Sequence, residues 1–243
     1  MKNFFILVAL FGFCLSTAQA QNDTVFLMNN QNVVNFTDGA AFDELADKAM
    51  IPVLKSLVAD SMIIGWGFTD HAWGDEWNKG WWIVATSHET FLAAFGKYIA
   101  RINEQHPGAL AEMDKLVRRH KDDLYIIRDS NTGGPSGAIM LQQSIVPLTK
   151  LGDWNAFMRD KSAPVLEEML AEGLITGYGN LNHRWGSEWN TGFYLSAANV
   201  GGTFDAWGTF TTRMGERHPG WFQEAASMIE MHKDNIYSVR VQG

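Results

Sequence analysis

The chain is written twice. His71 and His183 open the stretches HAWGDEWNKG and HRWGSEWNTG, 112 residues apart, and the same offset relates residues 26–128 to residues 138–240 without a gap. Pro52-Val53-Leu54 recurs as Pro164-Val165-Leu166, and Gly65 and Gly67 as Gly177 and Gly179. His106-Pro107-Gly108 returns as His218-Pro219-Gly220, and His120-Lys121-Asp122 as His232-Lys233-Asp234. Two copies fall short of the three or more that a solenoid needs, and each is long enough to be a small domain. Whatever one unit folds into is therefore made twice, and a face left bare by one copy can be covered by the other. Residues 131–137, Asn-Thr-Gly-Gly-Pro-Ser-Gly, read as a flexible, turn-prone linker between repeats at 21–130 and 138–243.

Periodicity orders the elements within a unit. Residues 25–36 and 139–148 read as strands, followed by helical spacing of Phe42, Leu45, Ala46 and Ala49, and of Trp154, Phe157 and Met158. Pro52 and Pro164 interrupt or kink that helix at the same point. Residues 62–68 and 80–86 are β-branched and aromatic runs flanking the repeated stretch, so they predict a hairpin. Phe91, Phe95, Tyr98, Ile99 and Ile102 mark an amphipathic helix that ends at His106-Pro107-Gly108. A further helix over residues 110–120 and a strand over 124–128 complete the order β-α-β-β-α-β, the ferredoxin-like unit.

A duplicated unit of this kind resembles the dimeric α+β-barrel proteins with both protomers fused. The resemblance rests on element order and spans nearly all of the chain. It implies an α+β fold in which two ferredoxin-like repeats pack sheet to sheet as a pseudo-dimeric barrel with helices outside. Small monooxygenases, haem-degrading oxygenases, polyketide-type cyclases and binding proteins share that superfamily, so it selects no single activity.

Composition narrows the partners. The first 20 residues carry Lys2, an apolar run and Ala18-Gln19-Ala20, the pattern of a cleaved export signal, which predicts a secreted or periplasmic protein. Cleavage there removes Cys14, the one cysteine, leaving no thiol nucleophile, thiolate ligand or disulfide. The formal charge of −8, without a Lys/Arg stripe, argues against nucleic acid and anionic membrane surfaces. Ten tryptophans and fifteen phenylalanines supply large rigid apolar surface, for a core or for the walls of a pocket that takes a small apolar or aromatic ligand.

Identity between the halves marks the candidate residues. In the repeated stretch, Gly74, Asn78 and Gly80 suit a hairpin tip, with Trp73, Trp77, Trp185 and Trp189 packing over the sheet end. A site reading instead sets His71 with Glu76, and His183 with Glu188, at the mouth of a tryptophan-walled cavity, as base and orienter. Two such ligands per copy are too few for a metal site. His120 and His232 each end an apolar helical stripe, as helix C-terminal residues or as pocket-facing imidazoles. His106 and His218 read as turn residues, and Arg101 with Glu104, and Arg213 with Glu216, as i, i+3 surface pairs. Gln31 and Gln143 sit on mostly apolar strand faces with Leu27, Asn29 and Val33, or Ile139, Leu141 and Ile145, where a buried amide must find a partner.

No phosphate loop, dinucleotide fingerprint, GxSxG, HExxH or CxxCH occurs. The cofactor stays open. Two readings remain: a small-molecule-binding barrel with cofactor-independent oxygenase- or isomerase-like chemistry, or a non-catalytic protein whose repeated residues only hold a hairpin.

Overall fold

The computed structural model describes residues 25–74 and 76–243, so the expected signal at 1–20 lies outside the described residues. The first half runs β1 (Val25–Val34), α1 (Gly39–Leu45), α2 (Ile51–Ala59), β2 (Gly65–Trp73), β3 (Lys79–Ala85), α3 (His88–Gln105), α4 (Ala109–Leu116) and β4 (Val117–Thr132). The second repeats it as β5 (Ala138–Ile145), α5 (Leu151–Phe157), α6 (Ala163–Ala171), β6 (Gly177–Trp185), β7 (Thr191–Ala197), α7 (Val200–Arg217), α8 (Trp221–Met228) and β8 (Met231–Gln242). Each half is a ferredoxin-like β-α-β-β-α-β unit.

The eight strands form one closed antiparallel barrel in the order β1-β3-β2-β8-β5-β7-β6-β4. Closure is made by exchange of edges: β4 of the first half pairs with β6 of the second, and β8 of the second with β2 of the first. A single four-stranded unit would expose two unpaired edges, and the exchange removes all four. Duplication therefore satisfies backbone hydrogen bonding as well as covering apolar faces.

Period-2 alternation divides each strand between two environments. On β1, Phe26 and Met28 are buried against the helices, while Leu27 and Asn29 face the barrel lumen. The helix-covered layers are separate in the two halves: Trp66, Phe68, Tyr98 and Leu54 anchor one, and Phe157, Leu166, Tyr178 and Met214 the other. A third, smaller cluster of Tyr125, Leu141, Leu181 and Tyr237 lies inside the barrel.

Both prolines are absorbed by a widened turn rather than a break. Segments Ala46–Met50 and Met158–Ser162 adopt π-helical geometry immediately before α2 and α6, whose first turns hold Pro52 and Pro164. A wider turn accommodates a residue that has no N–H to donate and a ring that crowds the preceding carbonyl. Ser87 and Asn199 start the long helices by accepting the backbone N–H of Thr90 and Gly202.

Two local expectations are corrected. The late helix stops at Leu116, and β4 begins at Val117, so His120 and His232 lie on strands rather than at helix ends. His120 pairs across the ladder with Asn32, and His232 with Ser144. Residues 117–123 can be read at either period, and the pairing with β1 decides for strand. Arg101 and Arg213 do not pair along their own helix. Arg101 donates to Asp60 at 2.5 Å and Arg213 to Glu172 at 2.6 Å, tying α3 to α2 and α7 to α6.

Candidate functional site

The barrel interior is a cavity of about 730 Å³. The linker residues Gly134, Pro135 and Ser136, and Gly243, belong to its lining. Leu27, Val84, Ile127, Ile139, Leu141 and Leu181 make most of its wall, with the rings of Trp82 and Tyr194 on opposite halves. Burial pushes the Tyr194 phenol up to about 12, so it stays protonated at neutral pH.

Glycines keep this lumen open. A Cβ on Gly67 would lie 2.6 Å from Cε2 of Trp82, and one on Gly179 would lie 2.5 Å from Cε1 of Tyr194. Both glycines sit in the middle of a strand, where the missing side chain normally costs stability. Here each lets an aromatic ring lie flat against the barrel wall instead of crossing the lumen.

The inner end is polar and arranged as two related sets. In one, Gln31 donates through Nε2 to the Tyr237 hydroxyl at 2.5 Å, and His71 stands edge-on to the Tyr237 ring with centroids 6.3 Å apart. In the other, Gln143 donates to the Tyr125 hydroxyl at 2.7 Å, and His183 stands on Tyr125 at 5.8 Å. Each set combines strands of both halves, since Tyr237 belongs to β8 and Tyr125 to β4. The amides expected to need a partner find a tyrosine from the opposite sequence half. Gln31 and Tyr237 line the cavity.

The sets differ by one charge. Asp123 and its counterpart Asn235 are both fully buried. The Asp123 carboxylate accepts the Ser187 backbone N–H at 2.7 Å and lies 3.6 Å from Lys121 Nζ and 3.9 Å from His183 Nε2. Burial, with the Asp123 carboxylate second, pushes the Tyr125 phenol well above its ordinary value.

The repeated stretch separates into parts. Gly74 and Gly186 take φ of 127° and 134°, and a Cβ on either would strike Asn235 or Asp123, so the hairpin tips close over these two buried residues. Gly80 is needed for space rather than for φ, since its Cβ would lie 2.6 Å from the Thr69 hydroxyl. Asn78 clamps the end of β1, accepting the Val34 N–H at 2.9 Å and donating to the Val34 carbonyl at 2.7 Å, and Asn190 does the same at Val146.

His71 and Glu76 are not brought together. Glu76 is exposed on the tip and accepts from Arg119 at 2.7 Å; its own backbone N–H and then Arg119 hold its carboxyl below the usual range. Glu188 is likewise exposed. Trp77 takes Arg119 and Lys121 over its ring, and Trp189 takes Lys233. Trp73 and Trp185 lie against Phe204 and Phe91, helix residues of the opposite half. None of these four tryptophans walls the cavity, and the exposed His120 and His232 are also absent from its lining. Trp189 is 8% exposed and Trp73 54%. Trp189→Ala should therefore cost about 3–5 kcal/mol, and Trp73→Ala only about 1 kcal/mol. Urea denaturation of the two variants checks this, and equal losses would contradict the burial difference.

Sequence reasoning passed over Trp82, Tyr194, Tyr125, Tyr237 and Asp123. Trp82 and Tyr194 had a readable signal: each is a large ring in the strand that follows a Gly-x-Gly strand. Tyr125 and Tyr237 had none, because the amides they meet lie on strands that come together only when the two halves close.

No protein-family model matches the chain, and no curated protein is similar to it in sequence. Solved structures share its fold. A candidate monooxygenase from Fusobacterium nucleatum superposes with a TM-score of 0.64 at 7% identity, covering 91% of this chain and 95% of its own. An anthrone oxidase-like protein gives 0.53 at 11% identity, over 92% and 94%. Chlorite dismutase from Candidatus Nitrospira defluvii gives 0.54 at 5% identity, over 90% and 92%. At these identities the likeness is one of fold.

The expected description as secreted or periplasmic finds no support in the comparison: the barrel is shared with chlorite dismutases and a haem-binding protein at 5–10% identity, a likeness of fold that carries no location. No helix among the described residues is long and apolar enough to cross a membrane.

The lumen does not fit a haem. Among the described residues, its lining holds no His, Cys or Met to bind the iron, and no Lys or Arg to meet the propionates. The candidate ligands among them are Tyr194 and Tyr237, and the Tyr194 phenol is held protonated. Among the described residues, no three His, Cys, Asp or Glu side chains come together as a metal site.

Proposed function

We propose that the protein binds one small, largely apolar, planar molecule inside the barrel. The observation that carries this reading is the open lumen itself. Its walls are aliphatic and aromatic, its inner end is polar, and two strand glycines are spent on keeping it clear. A protein needing only a core would fill such a space, because interiors pack to crystal density.

Fluorene tests the reading. It should quench tryptophan emission saturably, through Trp82, and raise the melting temperature with concentration. A set of planar aromatics that moves neither quantity would leave the barrel a scaffold.

Turnover is the second reading, favoured by Tyr237. Its phenol lines the cavity, accepts from Gln31 and has the His71 ring behind it. His71 itself is not in the lining, so it would influence a ligand through that phenol. The fold also occurs in an anthrone oxidase-like protein. Cofactor-independent oxidation would take anthrone and dioxygen to anthraquinone and water. Oxygen uptake with anthrone, lost in Tyr237→Phe and His71→Ala while fluorene still binds, would support it. Binding without uptake would leave a carrier.

A further inference from the structure

The two walls of the lumen are not alike. Related positions of the repeats face each other across it, and on the first repeat they are Asn29, Thr69 and Trp82. On the second they are Leu141, Leu181 and Tyr194. The reverse case, Ser196 against Val84, is already satisfied, since Ser196 donates to the Gly177 carbonyl at 3.2 Å.

The polar wall carries groups without partners. Asn29 and Trp82 are directly opposed on β1 and β3. Asn29 Nδ2 and Trp82 Nε1 are buried donors with no hydrogen bond, and Gln31 Oε1 is a buried acceptor with none. All three side chains line the cavity. Nearly all buried polar groups in folded proteins are hydrogen-bonded, so three unmet ones on one wall point to an occupant that supplies their partners. Two donors side by side call for an acceptor oxygen, and Gln31 beyond them can take a hydroxyl hydrogen.

We propose that the lumen is one site shared by both repeats, and that it takes a planar aromatic molecule bearing a carbonyl or phenolic oxygen, which it turns toward Asn29 and Trp82. This rests on the small-molecule reading above and adds the ligand's class and orientation. The apolar wall of the second repeat receives the hydrocarbon edge, so the internal symmetry of the barrel does not produce two equivalent poses.

Fluorenone and fluorene differ only in a carbonyl replacing a methylene, and they make the test. Equilibrium dialysis of the intact protein should give fluorenone an affinity at least about tenfold above fluorene, the effect of one good hydrogen bond in a dry site. Asn29→Leu, which installs the residue of the second repeat, should bring the ratio close to one through loss of fluorenone affinity. Trp82→Phe keeps a ring, removes the N–H and should act in the same direction. The infrared carbonyl stretch of bound fluorenone should lie at lower frequency in the wild type than in either variant. Equal binding of both probes to the wild type, or equal weakening of both by Asn29→Leu, overturns the oriented site and leaves the small-molecule reading standing. Binding of neither probe overturns both.

Discussion

Asp123→Ala is expected to be the most damaging single substitution among the polar residues of the barrel, costing about 3–5 kcal/mol. The carboxylate is fully buried, accepts the Ser187 N–H and lies close to Lys121 and His183. Removing it deprives a lysine side chain that is only 14% exposed of a carboxylate 3.6 Å away, and leaves a hairpin-tip N–H without its acceptor. Asp123→Asn keeps the shape, installs what the second half has at Asn235, and should cost only about 1–3 kcal/mol. Urea denaturation measures both. An Asp123→Ala loss below that of Asp123→Asn would mean that the buried charge is a burden rather than a tether for the tip.

Gly67→Ala should close the site. Its new methyl would stand 2.6 Å from two ring atoms of Trp82 and 2.7 Å from the indole nitrogen, so the ring must leave the wall and enter the lumen. Overpacking of this kind costs about 1–3 kcal/mol, and affinity for fluorene should fall at least about tenfold, equivalent to 1.4 kcal/mol. Gly96 is the control, because nothing lies within 4 Å of a Cβ built there, on the helix α3. Gly96→Ala should instead stabilise by about 0.5–1 kcal/mol and leave binding alone. Adding Trp82→Leu to Gly67→Ala should recover stability non-additively, since the clash has a single partner. Thermal melts and fluorene titration of the wild type, the three single variants and the double variant decide it. Unchanged binding in Gly67→Ala would show that Trp82 does not border the occupied space.

Several of these features could be read before any coordinates. The ferredoxin-like order and the shared face of Leu27, Asn29 and Gln31 follow from period-2 and helical spacing, which are local properties of the chain. The identity of Gly67 with Gly179 was visible too, but not its purpose, which depends on rings in the next strand. The pairing of His71 with Glu76 failed for a related reason. Five residues apart across a tight tip, one side chain turns inward over Tyr237 and the other outward to Arg119. His120 was misplaced because Leu110, Met113 and Val117 satisfy a helical stripe until the ladder to β1 claims the segment from Val117 onward.

Duplication, the sequence of strands and helices, the inward parity of Gln31 and Gln143, and the hairpin at each repeated stretch all reside in the sequence, because each is set by neighbours a few residues away. Closure does not. Whether β4 seeks β6 and β8 seeks β2 depends on unpaired edges meeting across the two halves, and only the assembled barrel satisfies them. The same step brings Tyr237 to Gln31 and Tyr125 to Gln143. It also buries Asp123 in one half opposite Asn235 in the other, and leaves an open lumen where Gly67 and Gly179 make room for two rings. Side-chain periodicity tells a residue which way to face; what it then meets is decided by strands that only closure brings alongside, from 18 residues away for Tyr125 and Gln143 to 206 for Gln31 and Tyr237.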